Sequence, residues 1–75
     1  MNITKSLDAK GLACPMPIVR TKKAMDTINS GEVLEVFVTD KGALSDFAAW
    51  TKAGGHTILE QKEDEGVYSF YIQKV

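Results

Sequence analysis

The spacing of hydrophobic positions changes several times along the chain, and each change predicts a new element. Residues 3–8 alternate weakly and put Ile3 and Leu7 on one side, which predicts a short first strand with one buried face. After Pro15 the spacing lengthens to that of a helix, which the turn-forming sequence NSG at residues 29–31 ends. The predicted core side of this helix consists of Ile18, Thr21, Met25 and Ile28.

A second strand and a second helix follow. The stretch EVLEVFVTD at residues 32–40 is rich in β-branched residues and offers Leu34, Val36 and Val38 to the core. After the DKG turn, apolar residues again recur at helical spacing until AGG at residues 53–55 supplies glycines suited to a C-terminal cap. We expect the helix to end near Ala53 and to face the core with Leu44, Phe47, Ala48 and Thr51.

The C-terminal third of the chain predicts a hairpin. Residues 56–62 and 67–74 flank EDEG at residues 63–66, whose acidic residues and glycine suit a tight connection. In the last strand Tyr68, Phe70 and Ile72 share one face. The element order is therefore βαβαββ.

This order predicts an α/β (α+β) fold. Two βα units favour parallel β1, β2 and β3 with right-handed crossovers, which place both helices on one face of a mixed four-stranded sheet. The final hairpin makes β4 antiparallel to β3, and the second sheet face stays open, with Val33, Phe37 and Tyr71 on it. At 75 residues, we expect one domain over residues 1–75, a two-layer sandwich.

Charge and composition exclude several classes of function. The formal net charge of −1 gives no general attraction to nucleic acids or anionic lipids, so direct nucleic-acid binding is not expected. No apolar run is long enough for a membrane span, and the N-terminus lacks a signal-peptide core. We expect a cytoplasmic monomer. One cysteine and one histidine fall short of a structural zinc site, so no metal is expected.

The single cysteine, Cys14, lies in GLACPMPIV, where the first strand gives way to the first helix. If Cys14 is the N-cap, Pro15 takes the first helical position, and the Met16 amide is the natural partner for the sulfur because Pro17 has no N–H. Alternatively, Met16 is the cap and the helix begins at Pro17. In either case the positive end of the helix is expected to lower the thiol pKa.

Basic residues surround this motif and are candidates for docking a partner protein. They are Lys10, Arg20, Lys22 and Lys23. A solvated helix face explains Arg20 to Lys23 equally well. Asp40 is expected to be a turn or cap residue and not a catalytic acid.

A reactive thiol at Cys14 has few partners in the sequence. A cysteine hydrolase needs a base, and pairing with the only histidine, His56, is not expected because His56 begins an edge-side strand. A disulfide exchanger needs a second thiol, which is absent. Sulfur accepted by Cys14 must therefore leave to another molecule, which favours a persulfide carrier.

The stretch LDAKGLACPMPIVRTKKAM resembles the TusA/SirA-like sulfur carrier family, whose signature is Cys-Pro-x-Pro between the first strand and the first helix. The resemblance extends over essentially the whole chain, through SDFAAW in the second helix and GGH before the third strand. It implies a fold like the C-terminal domain of translation initiation factor three. It also implies a sulfurtransferase-type carrier, which holds a covalent persulfide on Cys14 and needs no other cofactor.

The resemblance further implies two protein partners, a sulfur donor such as a rhodanese or cysteine desulfurase and a sulfur acceptor. The chain has Ala13 where an arginine is usual in the tRNA-thiolation members, and Met16 where a glutamate is common. A charge beside the sulfur helps to select partners, so these departures leave membership of that branch open. The alternatives are a protein- or RNA-binding regulatory module with a structural Cys14, and a thiol redox sensor.

Overall fold

The elements follow the predicted βαβαββ order in a computed structural model that describes residues 2–13 and 15–75. Met1 and Cys14 lie outside the described residues, and so do the predicted contacts of the Cys14 side chain. The strands and helices are β1 (Ile3–Ala9), α1 (Met16–Met25), β2 (Val33–Val38), α2 (Ala43–Gly54), β3 (Thr57–Asp64) and β4 (Val67–Gln73).

The four strands form one mixed sheet in the order β1-β2-β4-β3. β1 and β2 are parallel, and β4 is antiparallel to both β2 and β3. The three strands β1, β2 and β3 thus run in one direction, as predicted, but β3 is not beside β2. The reason is burial: Tyr68, Phe70 and Ile72 of β4 are buried, whereas nearly all of β3 is exposed, so β4 takes the central position and β3 the edge.

The hydrophobic core lies between one sheet face and both helices. Leu34, Val36 and Val38 are fully buried, as their spacing predicts. On the helix side, Phe47 of α2 stacks on Phe70 of β4 with ring centroids 4.5 Å apart. The two-layer sandwich with both helices on one face is therefore confirmed.

Two helical predictions need correction. Ala48 is exposed, and the buried position of α2 that the spacing missed is Ala43. α1 ends at Met25 rather than Ile28, although Ile28 is buried. The Lys74 ammonium donates to the carbonyl oxygens of Met25 and Ile28, at 3.0 and 2.7 Å, and so satisfies acceptors that the end of α1 leaves free.

A bulge in β1 reverses the prediction for Ile3. The register pairs Ile3 with Val33 and Lys5 with Leu34, so Thr4 is one residue in excess. Residues after the bulge keep the predicted phase, and Leu7 faces the core. Ile3 instead lies on the open sheet face and is 42% exposed.

The β3–β4 connection is tighter than EDEG suggested. β3 continues to Asp64, which leaves Glu65 and Gly66 as the turn. Both have positive φ, 50° and 81°, as a two-residue type I′ hairpin requires. Neither helix of the described chain has the length and hydropathy needed to span a bilayer.

Candidate functional site

The Cys-Pro-x-Pro motif occupies the connection from β1 to α1. Ala13, Pro15 and Met16 are exposed, whereas the Pro17 ring is fully buried. Cys14 is outside the described residues, so its assignment as the catalytic residue stays a prediction. The geometry of the site is known from its two flanks.

The helix start differs from both predicted registers. Pro15 is the N-cap, with φ −95° and ψ 9°, and α1 begins at Met16. The Met16 amide donates to the carbonyl oxygen of Ala13 at 2.9 Å. A backbone acceptor from the preceding loop therefore engages this amide, while its expected contact with the sulfur lies outside the described residues and stays a prediction.

The second proline of the motif is a core residue. Its ring is buried beneath the first turn of α1, and its carbonyl accepts a hydrogen bond from the buried Thr21 hydroxyl at 2.7 Å. The sequence predicted that Pro17 lacks an N–H and stiffens the entry to the helix. The structure adds a packing role that ties the start of α1 to the core.

The four candidate docking residues do not form one cluster. Lys10 lies beside Phe37 and Asp64 at a depression on the open sheet face. Lys22 lines another depression with Trp50 and His56, at the C-terminal end of α1.

Two of the basic residues also have a structural explanation. Lys22 and Lys23 occupy the last turn of α1, where a positive charge interacts favourably with the negative end of the helix dipole. Arg20 is exposed, and no described residue forms a hydrogen bond or ion pair with its side chain. Arg20 lies outside the last turn of α1 and stays a candidate for contact with a partner.

His56 is far from the motif along the helix axis. It lines one depression with Met25 and Asp26, at the end of α1 opposite to Pro15. A ten-residue helix is about 15 Å long. The Nδ1 atom of His56 accepts from the Val75 amide at 3.2 Å, and its ring lies 5.2 Å from that of Trp50. His56 is thus placed to fasten the C-terminus and not to act as a base for a thiol at position 14.

Asp40 occupies a turn, as predicted. Its carboxylate accepts from the Gly42 amide at 3.1 Å, and its carbonyl accepts from the Ala43 amide at 3.0 Å. Both bonds lie at the start of α2. Within residues 2–13 and 15–75, no three His, Asp or Glu side chains come together as a metal-binding group.

Beside the motif lies an apolar groove that sequence reasoning missed. It has a volume of about 420 Å³ and runs between α1 and α2, lined by Pro15, Ile18, Asp46, Ala49 and Trp50. Helical spacing predicts Ile18 on the core side of α1, and both Ile18 and Trp50 are half-buried. Finding the groove required the relative position of the helices, which no pattern within one helix contains.

Exposed apolar side chains extend this surface. Met16 is 38% exposed and Val19 is 44% exposed. They are three residues apart on α1 and therefore share a helix face. The surface nearest the motif is thus apolar, with Arg20 beside it.

The open sheet face carries a separate polar network. The Ser6 hydroxyl donates to the Glu35 carboxylate at 2.6 Å. The Tyr71 hydroxyl also bonds to Glu35, which raises the pKa of Tyr71 above its ordinary 10.0, with smaller contributions from burial and from the charges of Glu35 and Glu60. The Lys62 ammonium lies 5.7 Å from the centroid of the Tyr71 ring.

Comparison with known proteins identifies the class. Residues 5–74 match the family model described as sulfurtransferase TusA. The putative sulfur carrier protein YrkI of Bacillus subtilis is 61% identical over 74 residues, which cover 99% of each chain. The sulfur carrier protein TusA of Allochromatium vinosum is 46% identical over 70 residues, with 93% of this chain and 92% of that protein covered.

A solved structure agrees with this assignment. A SirA-like protein from Desulfitobacterium hafniense superimposes with a TM-score of 0.80 at 28% identity, covering 92% of this chain and 95% of that one. The chain therefore belongs to the TusA family of sulfur carrier proteins, and its fold is that of a SirA-like protein.

Proposed function

We propose that this protein carries sulfur as a persulfide on Cys14, between a donor protein and an acceptor protein. The observation that carries the proposal is the position of the only thiol in the sequence. Cys14 directly precedes the N-cap of α1, Pro15, so the positive end of that helix follows the thiol within the chain. A helix N-terminus favours an anionic sulfur, either a thiolate or a persulfide.

The transfer chemistry needs one thiol and no external oxidant. The Cys14 thiolate attacks the terminal sulfur of a donor persulfide; the donor S–S bond breaks, and the donor leaves as a thiolate. The new S–S bond on Cys14 breaks in turn when the acceptor thiolate attacks the same sulfur. Each step exchanges one S–S bond for another, so Cys14 ends as the thiolate with which it began.

The placement of His56 supports a carrier over a hydrolase. A thiol hydrolase requires a base within hydrogen-bond reach of the sulfur. His56 lies at the opposite end of α1 and accepts a hydrogen bond from the C-terminal residue. The protein is accordingly a sulfurtransferase-type carrier that works with partner enzymes rather than a turnover enzyme by itself.

The partners contact an apolar surface in this proposal. Met16, Val19 and the groove between α1 and α2 surround the motif, and Arg20 adds positive charge beside them. A rhodanese or cysteine desulfurase is the proposed donor, and an acceptor with its own thiol removes the sulfur. The departures at Ala13 and Met16 remove charge from this surface and so change partner choice rather than chemistry.

The test is mass spectrometry after incubation with a cysteine desulfurase and cysteine. We expect an adduct of one sulfur atom that maps to Cys14 and disappears on treatment with a reducing thiol. The matched control is Cys14→Ser, which keeps the size of the side chain and removes the nucleophile. Equal sulfur uptake by Cys14→Ser would contradict the proposal.

Two alternatives from the sequence make different predictions. A redox sensor gives oxidant-dependent dimers on a non-reducing gel, linked through the single cysteine. A regulatory module with a structural Cys14 gives a thiol that titrates at or above the ordinary value of about 8.5. Either result, without a sulfur adduct, favours that alternative over the carrier.

A further inference from the structure

The loop that leads into the motif is fastened to a distant part of the chain by one side chain. Two of its hydrogen bonds are local: the Lys10 amide donates to the Asp8 carboxylate at 3.0 Å, and the Leu12 amide donates to the Ala9 carbonyl at 3.4 Å. The Gly11 amide instead donates to the Thr39 hydroxyl oxygen at 2.9 Å, across 28 residues. Among the described hydrogen-bond partners of loop residues 10–13, Thr39 is the one most distant in sequence.

The parallel pairing of β1 and β2 explains why Thr39 is available. Ala9 pairs with Val38 at the last position of the register, so the residues that follow the two strands emerge side by side. Gly11 turns the chain with φ +80°, a conformation that glycine adopts without strain. The turn presents its amide to the hydroxyl that directly follows β2.

The described residues on both sides of Cys14 are also held in place by contacts with the rest of the chain. Leu12 packs against the hydrophobic core, and the carbonyl of Ala13 accepts from the Met16 amide of α1 at 2.9 Å. On the far side, the buried Pro17 ring holds the start of the helix. The bond to Thr39 thus ties the strand side of the motif to the residue that directly follows β2.

We propose that Thr39 is a positioning residue for sulfur transfer: by holding the Gly11 amide it sets the path of the chain into Cys14. This inference rests on the proposed function, because a carrier thiol must be presented to two partners in a defined place. Thr39 acts through the loop.

The bond suits this role because its loss reduces the stability of the fold only slightly. Gly11 and Thr39 are both exposed, and an exposed hydrogen bond between neutral groups adds little to global stability. The core beneath the sheet does not include Thr39. Removing the hydroxyl therefore loosens the loop without unfolding the protein.

The experiment compares Thr39→Val, which keeps the shape but removes the hydroxyl, with Thr39→Ser, which retains it. Thr27→Val is the matched control: the Thr27 hydroxyl donates to the Ala24 carbonyl at 2.6 Å and accepts from Lys5, beyond the other end of α1. Each variant is alkylated with iodoacetamide across a range of pH. The readout belongs to Cys14 alone because the chain has one cysteine.

We expect the alkylation midpoint of Thr39→Val to rise by about half a pH unit, because the thiol is no longer held at the positive end of α1. Sulfur uptake from a cysteine desulfurase should fall about three- to tenfold. Thr39→Ser and Thr27→Val should match the wild type in both measurements. None of these substitutions adds or removes a charge, so the charges of Asp8, Lys10, Arg20, Asp40, Lys41 and Asp46 are the same in all the proteins compared.

Two results would overturn the proposal. One is an unchanged midpoint and an unchanged uptake rate in Thr39→Val. The other is an equal change in Thr39→Val and Thr27→Val, which would show a general loss of stability; urea denaturation of both variants measures that loss. A wild-type protein that takes up no sulfur at Cys14 would refute the proposed function, while the alkylation midpoints would still decide the role of Thr39.

Discussion

The backbone amide of Met16 donates to the carbonyl oxygen of Ala13 across 2.9 Å, which links the residues on the two sides of Cys14 and Pro15. The bond gives α1 a defined start at Met16, with Pro15 as its cap. The expected contact of the same amide with the Cys14 sulfur stays a prediction, because Cys14 lies outside the described residues. The positive electrostatic potential at the N-terminus of α1 remains the described feature that favours an anionic sulfur in the motif.

The two prolines of the motif should differ in their effect on stability. Pro17→Ala removes a fully buried ring, so we expect the free energy of unfolding to fall by about 1–3 kcal/mol. Pro15→Ala is the matched control, since Pro15 is exposed and both substitutions relax the unfolded chain in the same way. Urea denaturation checks this. Equal losses for the two variants would contradict the core role of Pro17.

The exposed apolar face of α1 should matter for partner contact. Val19→Glu places a charge on this face, and we expect KM for the sulfur donor to rise about five- to tenfold, the effect of losing an interface side chain worth more than about 1 kcal/mol. Leu59→Glu is the control, because Leu59 is similarly exposed, at 42% against 44%, but lies on β3. Steady-state kinetics at varied donor concentration compares them. A larger effect from Leu59→Glu would place the docking surface elsewhere.

The polar network on the open sheet face should be detectable in the titration of Tyr71. The Glu35 carboxylate stabilises the neutral phenol, so the pKa of Tyr71 lies above 10.0 in the folded protein. The Tyr71 phenol contributes to stability below pH 10, and this contribution is lost as the pH rises through the raised pKa. The reason is that the folded state binds the phenolic proton more tightly than the unfolded state does. Glu35→Gln should lower the pKa of Tyr71 more than Glu60→Gln does.

Tyrosinate absorbance, corrected with a Tyr71→Phe variant, measures this titration. The comparison is informative because Glu35 acts through both a hydrogen bond and its charge, whereas Glu60 acts through charge alone. Equal shifts in the two variants would mean that the Tyr71–Glu35 hydrogen bond does not control the titration.

The GGH sequence should show a change of sign in a double-mutant cycle. A Cβ added at Gly54 would lie 2.9 Å from Cδ2 of His56, so Gly54→Ala should destabilise the protein. Without the imidazole, in His56→Ala, the same substitution should stabilise it by about 0.5–1 kcal/mol, as alanine does in a helix. Thermal or urea unfolding of the four proteins gives the cycle. Additive effects would show that the ring does not oppose a side chain at position 54.

Much of the fold follows from periodicity within single elements. The alternation in β2 predicts that Leu34, Val36 and Val38 are buried, and helical spacing predicts the burial of Thr21 and Met25. These predictions succeed because burial of one face is a local requirement of an amphipathic element. No partner strand needs to be known.

The features that the sequence did not predict all depend on contacts between different elements. Either β3 or β4 could pair with β2, and β4 takes this central position in the sheet. The exposure of Ile3 follows from a bulge at Thr4. The bond from Gly11 to Thr39 exists because two parallel strands end together. Of the site itself, the sequence indicated Cys14 and its prolines, but neither the groove beside them nor the role of Thr39.

The most direct test of the central claim follows one sulfur atom through the protein. Wild-type protein is loaded with labelled sulfur by a cysteine desulfurase, separated from the donor, and mixed with cyanide, which removes the outer sulfur of a persulfide as thiocyanate. We predict one labelled thiocyanate for each cysteine and a thiol at Cys14 that can be loaded again. Label retained after cyanide, or equal label on Cys14→Ser, would contradict a persulfide carrier.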